Sequence, residues 1–171
     1  MPLTDAARMA QSPGLEWLPW MERALVGARL AAAEGEVPIG AVVVRGGELL
    51  GEGWNRSDAL SDPTAHAEIV ALRRAAARTR NWRLPGAALV VTVEPCLMCF
   101  GALLEARITT LVIGTCDSKR GATSLWKSGH LSRYPFAALE VIGGVAEESC
   151  KAELKQWFAV RRSEARTRRG A

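Results

Sequence analysis

Cys96 and Cys99 stand three residues apart directly after Glu94-Pro95, and His66 and Glu68 stand two apart, 30 positions upstream of Cys96. Two cysteines at this spacing on a helix start put both sulfurs on one side of its first turn. The positive end of the helix and a divalent cation both favour thiolate over thiol there. His66 adds an imidazole nitrogen. Three N/S ligands are what a catalytic zinc site takes from its protein, with the fourth position left for water. Glu68 would then carry protons beside a water whose pKa zinc lowers to about 7. One geometric objection stands against it, since residues two apart on a helix point roughly 200° apart around the axis. The objection weakens if the metal lies beyond the helix's N-terminal end, where first-turn side chains reach it from different sides.

A lone Cys-x-x-Cys also suits a redox dithiol, and Cys116, Cys150 or His130 could close a four-ligand structural cage. Such a cage leaves Glu68 without a task. The combined His-x-Glu and Pro-Cys-x-x-Cys pattern matches a signature known for zinc deaminases acting on nucleobases, and that match favours the open catalytic site.

These side chains need a scaffold that brings two distant segments together. Residues 84–104 carry a single charge, Glu94. Pro95 interrupts them, and the first half is β-branched, which predicts a buried strand, a turn and a buried helix rather than a membrane span. The recurrence of Trp17, Trp20, Met21, Ala24, Leu25, Ala28 and Ala31 predicts a helix over 16–34, ended by Gly35 and Pro38. Strands are expected at 39–44 and 49–55 around an Arg45-Gly46-Gly47-Glu48 hairpin. A loop at 58–63 should lead into a helix opening at Pro63 or Thr64 and reaching about Arg80. A strand at 87–93, a helix at 96–106 and a strand at 109–113 follow. After an irregular 116–135, with a helical turn near 124–127, come a last strand at 138–142 and a helix over 146–164. This order implies one three-layer α/β domain around a five-stranded sheet.

The chain has 171 residues, 49% hydrophobic and 23% charged. That composition excludes a disordered chain, and the length allows one core without disulfide staples. A single domain over 1–171 is expected, with 1–13 as a flexible extension lacking the apolar stretch of a signal peptide. Four cysteines without an export signal argue for reduced thiols or a metal. The net charge of +4 equals the surplus of five Arg over one Glu in 161–169, within a basic tail spanning 161–171. A second cluster, Arg73, Arg74, Arg78, Arg80 and Arg83, contains no acid. Either run could be solvated surface, and either could meet an acidic partner.

With these residues in view, the chain resembles the bacterial tRNA-specific adenosine deaminases of the cytidine deaminase-like superfamily. The resemblance runs from about Trp20 to Arg162. It passes through Glu36-Val37-Pro38-Ile39-Gly40-Ala41, Gly51-Glu52-Gly53-Trp54-Asn55, Asp62-Pro63-Thr64-Ala65-His66-Ala67-Glu68-Ile69, Glu94-Pro95-Cys96-Leu97-Met98-Cys99 and Asp117-Ser118-Lys119-Arg120-Gly121-Ala122. It implies an α/β/α cytidine deaminase-like domain with a five-stranded mixed sheet and one Zn2+ per chain on His66, Cys96 and Cys99. It implies hydrolysis of adenosine to inosine at the wobble position of a tRNA anticodon, with Glu68 passing protons from the attacking water to the purine ring nitrogen and helping ammonia leave.

By the same resemblance Asn55 reads the base, and Asp117 with Lys119 contacts the flanking ribose and phosphates. Phe158 stacks a neighbouring nucleotide while Arg161 and Arg162 pair phosphates. A cytoplasmic homodimer that uses no membrane is also implied. Plainer roles exist: a turn residue for Asn55, a cap for Asp117, core packing for Phe158 and for Cys150. The stretch Trp126 to Gly144 departs from the family by lacking an Asn-His-Arg before the last strand. A free guanine, cytosine or dCMP-type deaminase shares the metal motif, and a noncatalytic zinc-stabilised RNA-binding module remains a reading from another class. The basic tail favours an RNA polymer over a free base.

Overall fold

A computed structural model of the chain describes residues 14–130 and 138–169. A 3-10 turn at Leu15–Trp17 leads into α1 (Leu18–Ala33), which buries the small and apolar side chains Met21, Ala24, Leu25, Ala28 and Ala31 along one stripe. The hairpin of β1 (Gly40–Arg45) and β2 (Glu48–Trp54) turns through Gly46 and Gly47, both at positive φ, a conformation glycine adopts without a Cβ penalty. Then come α2 (Ser57–Leu60), α3 (Ala67–Thr79), β3 (Ala88–Val93), α4 (Leu97–Glu105), β4 (Thr110–Thr115), α5 (Thr123–Lys127), β5 (Glu140–Gly143) and α6 (Glu147–Arg169).

The strands pair in the order β2-β1-β3-β4-β5. β1 runs antiparallel to both β2 and β3, whereas β3, β4 and β5 are parallel, so the sheet is mixed. β3 lies at its centre with every residue buried, which explains its unbroken apolar sequence. One hydrophobic cluster joins α3 and α4 to one sheet face through Ala71, Leu72, Phe100 and Leu103. A second joins α1 and α6 to the other face through Met21, Leu25, Val90, Val112 and Cys150. The α/β/α layering expected from the element order is therefore present, and Cys150 serves as packing.

This topology assembles the chemistry at one sheet edge. Pro95-Cys96 follow β3 and Cys116-Asp117 follow β4, so both segments leave the carboxyl ends of adjacent parallel strands, where α/β proteins place their sites. Gly40 opposite Trp54 puts the start of β1 and Asn55 at the same edge. Gly53 then admits α3: a Cβ there would stand 2.5 Å from the Ala67 carbonyl oxygen. Only glycine lets the helix start that closely over β2.

Three expectations need correction. The helix expected from Pro63 or Thr64 begins at Ala67, because Asp62 Oδ1 accepts both the Thr64 N–H (2.8 Å) and its hydroxyl (2.6 Å) and holds Pro63 in a turn. The loop expected at 58–63 also contains the short α2. The last helix runs five residues beyond the expected Glu164, so the basic run is helical through Arg169. Of the divergent stretch 126–144, residues 131–137 lie outside the described residues, as does the 1–13 extension. Among the described residues no helix is long and apolar enough to cross a membrane.

Candidate active site

The two metal-binding segments meet through helix starts. His66 is the N-cap of α3, with extended backbone (φ −71°, ψ 154°), so it precedes the helix and escapes the two-apart objection. Glu68 occupies the first turn and is buried, with 4% exposure. The His66 side chain does not cap the helix. Asn55 Oδ1 instead accepts the Ala67 N–H at 3.0 Å, satisfying one of the free donors of the first turn. Asn55 thus does more than end a strand: it fastens β2 to the segment that carries His66 and Glu68.

Cys96 is likewise the N-cap of α4 and Cys99 lies in its first turn. The His66 Nδ1 stands 3.6 Å from the Cys96 sulfur and 3.4 Å from the Cys99 sulfur, and the three ligand atoms lie within 4.8 Å of one another. A tetrahedral zinc ion with Zn–S of about 2.3 Å and Zn–N of about 2.0–2.1 Å needs N···S edges of about 3.5–3.6 Å. The donor set therefore fits zinc without rearrangement. Neither Glu68 nor any of Cys116, Cys150 and His130 belongs to this group. Cys116 and His130 are exposed and Cys150 is buried against the opposite face of the sheet, so no fourth protein ligand completes a structural cage among the described residues.

The electrostatics suit a metal and a proton carrier. Hydrogen bonds from Cys99 and then from His66 pull the Cys96 thiol down to about 3, despite its partial burial. Cys99 moves the opposite way, because it donates to Cys96 and is buried. His66 is raised, first by its hydrogen bond with Cys96. Burial pushes the Glu68 carboxyl up, opposed by the nearby His66. A carboxyl raised by burial is better matched to exchanging protons near neutral pH.

A cleft of about 410 Å³ has walls that include Ile39, Cys116, Asp117, Lys119, Arg120 and Phe158, whereas His66, Glu68, Cys96, Cys99 and Asn55 do not line it. Three residues singled out from sequence, Asp117, Lys119 and Phe158, are thus brought together. Phe158 is 44% exposed and meets Trp157 edge-on at 5.0 Å between ring centroids, which rules out the core role considered for it. The Asp117 carboxylate accepts the N–H groups of Lys119 (2.9 Å) and Arg120 (3.1 Å), the capping role considered for that residue. Its charge shapes the loop whose Lys119 and Arg120 side chains reach outward.

The basic groups separate into two kinds. Arg73 pairs with Asp62, Arg78 with Glu48, and Arg74 donates to the Glu52 carbonyl and lies over Trp54, so most of that cluster serves the fold. On α6, every residue from Phe158 to Arg168 is exposed. Arg161 donates to the Gly35 carbonyl at 2.7 Å and covers Trp157, whereas Arg162 forms no ion pair among the described residues. Arg120 was missed by sequence reasoning. It stands near enough to His66 to oppose its protonation, and its basic type within the Asp117–Ala122 run was the available signal.

Residues 17–115 match the family model described as the cytidine and deoxycytidylate deaminase zinc-binding region. The chain is 46% identical over 152 residues to a tRNA-specific adenosine deaminase of Haemophilus influenzae, covering 84% of each. A solved structure from work on A-to-I editing by tRNA:A34 deaminases at the wobble position of transfer RNA shares 43% identity and a TM-score of 0.75, covering 80% of this chain and 99% of that one. A guanine deaminase from Nitrosomonas europaea superposes with a TM-score of 0.71 at 25% identity, covering 92% and 94%.

Proposed function

Because the chain belongs to the cytidine and deoxycytidylate deaminase zinc-binding family, and within it to the tRNA-specific adenosine deaminases, we propose that it hydrolyses the wobble adenosine of a tRNA anticodon to inosine. The observation that carries this reading is the buried Glu68 in the same first turn that follows His66, which groups with Cys96 and Cys99 as three metal ligands. His66, Cys96 and Cys99 hold one zinc ion, which supplies a water acidic enough to yield a nucleophile near neutral pH. Glu68 removes a proton from the attacking water and returns one to the purine ring nitrogen. It then assists transfer of a proton to the departing amino group, so that adenosine and water become inosine and ammonia.

The Asn55 amide group, held by the Ala67 N–H at one end, presents its nitrogen as a donor to the base. Lys119 and Arg120 meet phosphates beside the flipped nucleotide, and Phe158 offers an exposed face for stacking. Arg161 and Arg162 extend the same binding line, with the whole of 1–171 acting as one deaminase domain whose basic end faces the anticodon stem-loop. Arg161 also fixes α6 against Gly35. Replacing Arg162, Arg166 and Arg168 by Ala spares that contact. The triple variant should bind tRNA more weakly and lower the slope of log affinity against log salt by up to about 3. An unchanged slope in a filter-binding titration assigns these arginines to solvated surface.

A homodimer suits the apolar surface at the back of the metal helices. There a cleft of about 400 Å³ is lined by Ile69, Leu72, Trp82, Ala102 and Ala106, and Leu97 and Met98 remain exposed on α4. We place the enzyme in the cytoplasm with its substrate. The substrate class is tested by incubating the protein with an arginine tRNA transcript, free adenosine, guanine and cytosine in parallel. Ammonia and inosine should appear with the tRNA alone. Turnover of guanine or cytosine without tRNA turnover would assign the site to free bases instead.

A further inference from the structure

Glu94 is the one charged residue in the apolar stretch 84–104, and it is 9% exposed. Its backbone N–H still belongs to the sheet, donating to the Thr115 carbonyl at 2.8 Å, and Cys96 follows two residues later. No basic side chain pairs with it among the described residues. Its carboxylate instead accepts hydrogen bonds from one loop. Oε2 takes the Asp117 N–H at 2.9 Å, and Oε1 takes the Thr123 N–H at 3.0 Å together with the Thr123 hydroxyl.

These donors bracket residues 117–123, the segment whose Lys119 and Arg120 line the 410 Å³ cleft. The loop lies directly on the carboxylate: a Cβ at Gly121 would overlap its atoms. Two further ties run between the same segments, the Ala122 N–H to the Pro95 carbonyl at 3.0 Å and the Cys96–Gly121 bridge. One buried side chain therefore relates the metal-ligand turn to the loop beside it. Hydrogen bonds that end on a carboxylate are roughly twice as strong as neutral ones, and both oxygens meet donors only. An amide in its place would turn an –NH2 toward an N–H group, leaving a buried donor unpaired.

We propose that Glu94 is a positioning residue for tRNA recognition: it clasps both ends of the 117–123 loop so that Lys119 and Arg120 stand at a set distance from the metal centre. The role rests on the tRNA reading above. A residue that places binding groups should act on KM, and one that merely supports the metal turn should act on zinc content and kcat.

The test compares wild type with E94Q, using zinc content, kcat and KM on the tRNA transcript. E94Q should retain its zinc and keep kcat within about threefold, while KM rises about tenfold or more. Adding Lys119→Ala and Arg120→Ala to E94Q should cost much less than adding them to wild type, because the displaced loop no longer places those side chains. Gly121→Ala, which pushes the same carboxylate from the other side, should raise KM in the same direction. Should E94Q fail to fold, Thr123→Val removes only the hydroxyl donor and should still raise KM. Zinc loss with a collapse of kcat overturns the proposal, as do an unchanged KM in a folded E94Q and full additivity with the Lys119 and Arg120 changes. Inactivity of the wild type on tRNA sinks the substrate reading and takes the proposal with it, whereas a normal wild type beside a normal E94Q sinks only the role of Glu94.

Discussion

Glu68→Ala is expected to keep one zinc ion per chain and lose deamination by about 10²–10⁴-fold, the usual contribution of a positioned acid–base group. Zinc retention follows from geometry, since the three ligand atoms come from His66, Cys96 and Cys99 and the carboxylate is outside that group. The loss of turnover follows from the placement of Glu68 in the first turn of α3, buried beside the ligands and with its carboxyl raised by that burial. Glu68→Gln should fall as far, because it keeps the shape and removes only the capacity to exchange a proton. Metal analysis alongside an ammonia assay checks both. Turnover within a few-fold of wild type, with zinc present, would exclude Glu68 from proton transfer.

Cys96→Ala should lose the metal, the activity and much of the stability together. Three hydrogen bonds end on the Cys96 sulfur, from the Cys99 side chain and backbone and from His66, and its removal leaves two ligands from three. A metal present at about 1,000 times its dissociation constant stabilises the folded chain by about 4 kcal/mol. For a chain of this size each kcal/mol moves Tm by roughly 2–4 °C. The variant should therefore melt roughly 8–16 °C below zinc-loaded wild type, and stripping the wild type with a chelator should reproduce most of that drop. A variant that keeps full zinc and the wild-type melting temperature would contradict the ligand assignment.

The layered fold and the metal group were legible in the sequence because each rests on a strong local signal. The unbroken apolar run of β3 marks a strand buried on both faces, and Cys96, Cys99, His66 and Glu68 combine rare residue types at tight spacing. What escaped depends on contacts between distant segments. The start of α3 was placed too early because Pro63 resembles a first-turn proline, and only the Asp62–Thr64 hydrogen bonds reveal a turn there. Asn55 looked like a strand end, while its partner, the Ala67 N–H, lies 12 residues on. Glu94 looked like a lone charge in an apolar segment, and its three donors come from 23 and 29 residues downstream. Phe158 had core packing as its plainer role. It is 44% exposed, which no local pattern records.

The most direct measurement of the central claim is the position of inosine in an arginine tRNA transcript after incubation with the zinc-loaded protein, read by nuclease digestion and mass spectrometry. Inosine at the wobble position alone, formed by wild type and absent with Glu68→Ala, is the predicted result. No inosine, or inosine spread over adenosines outside the anticodon, would contradict it.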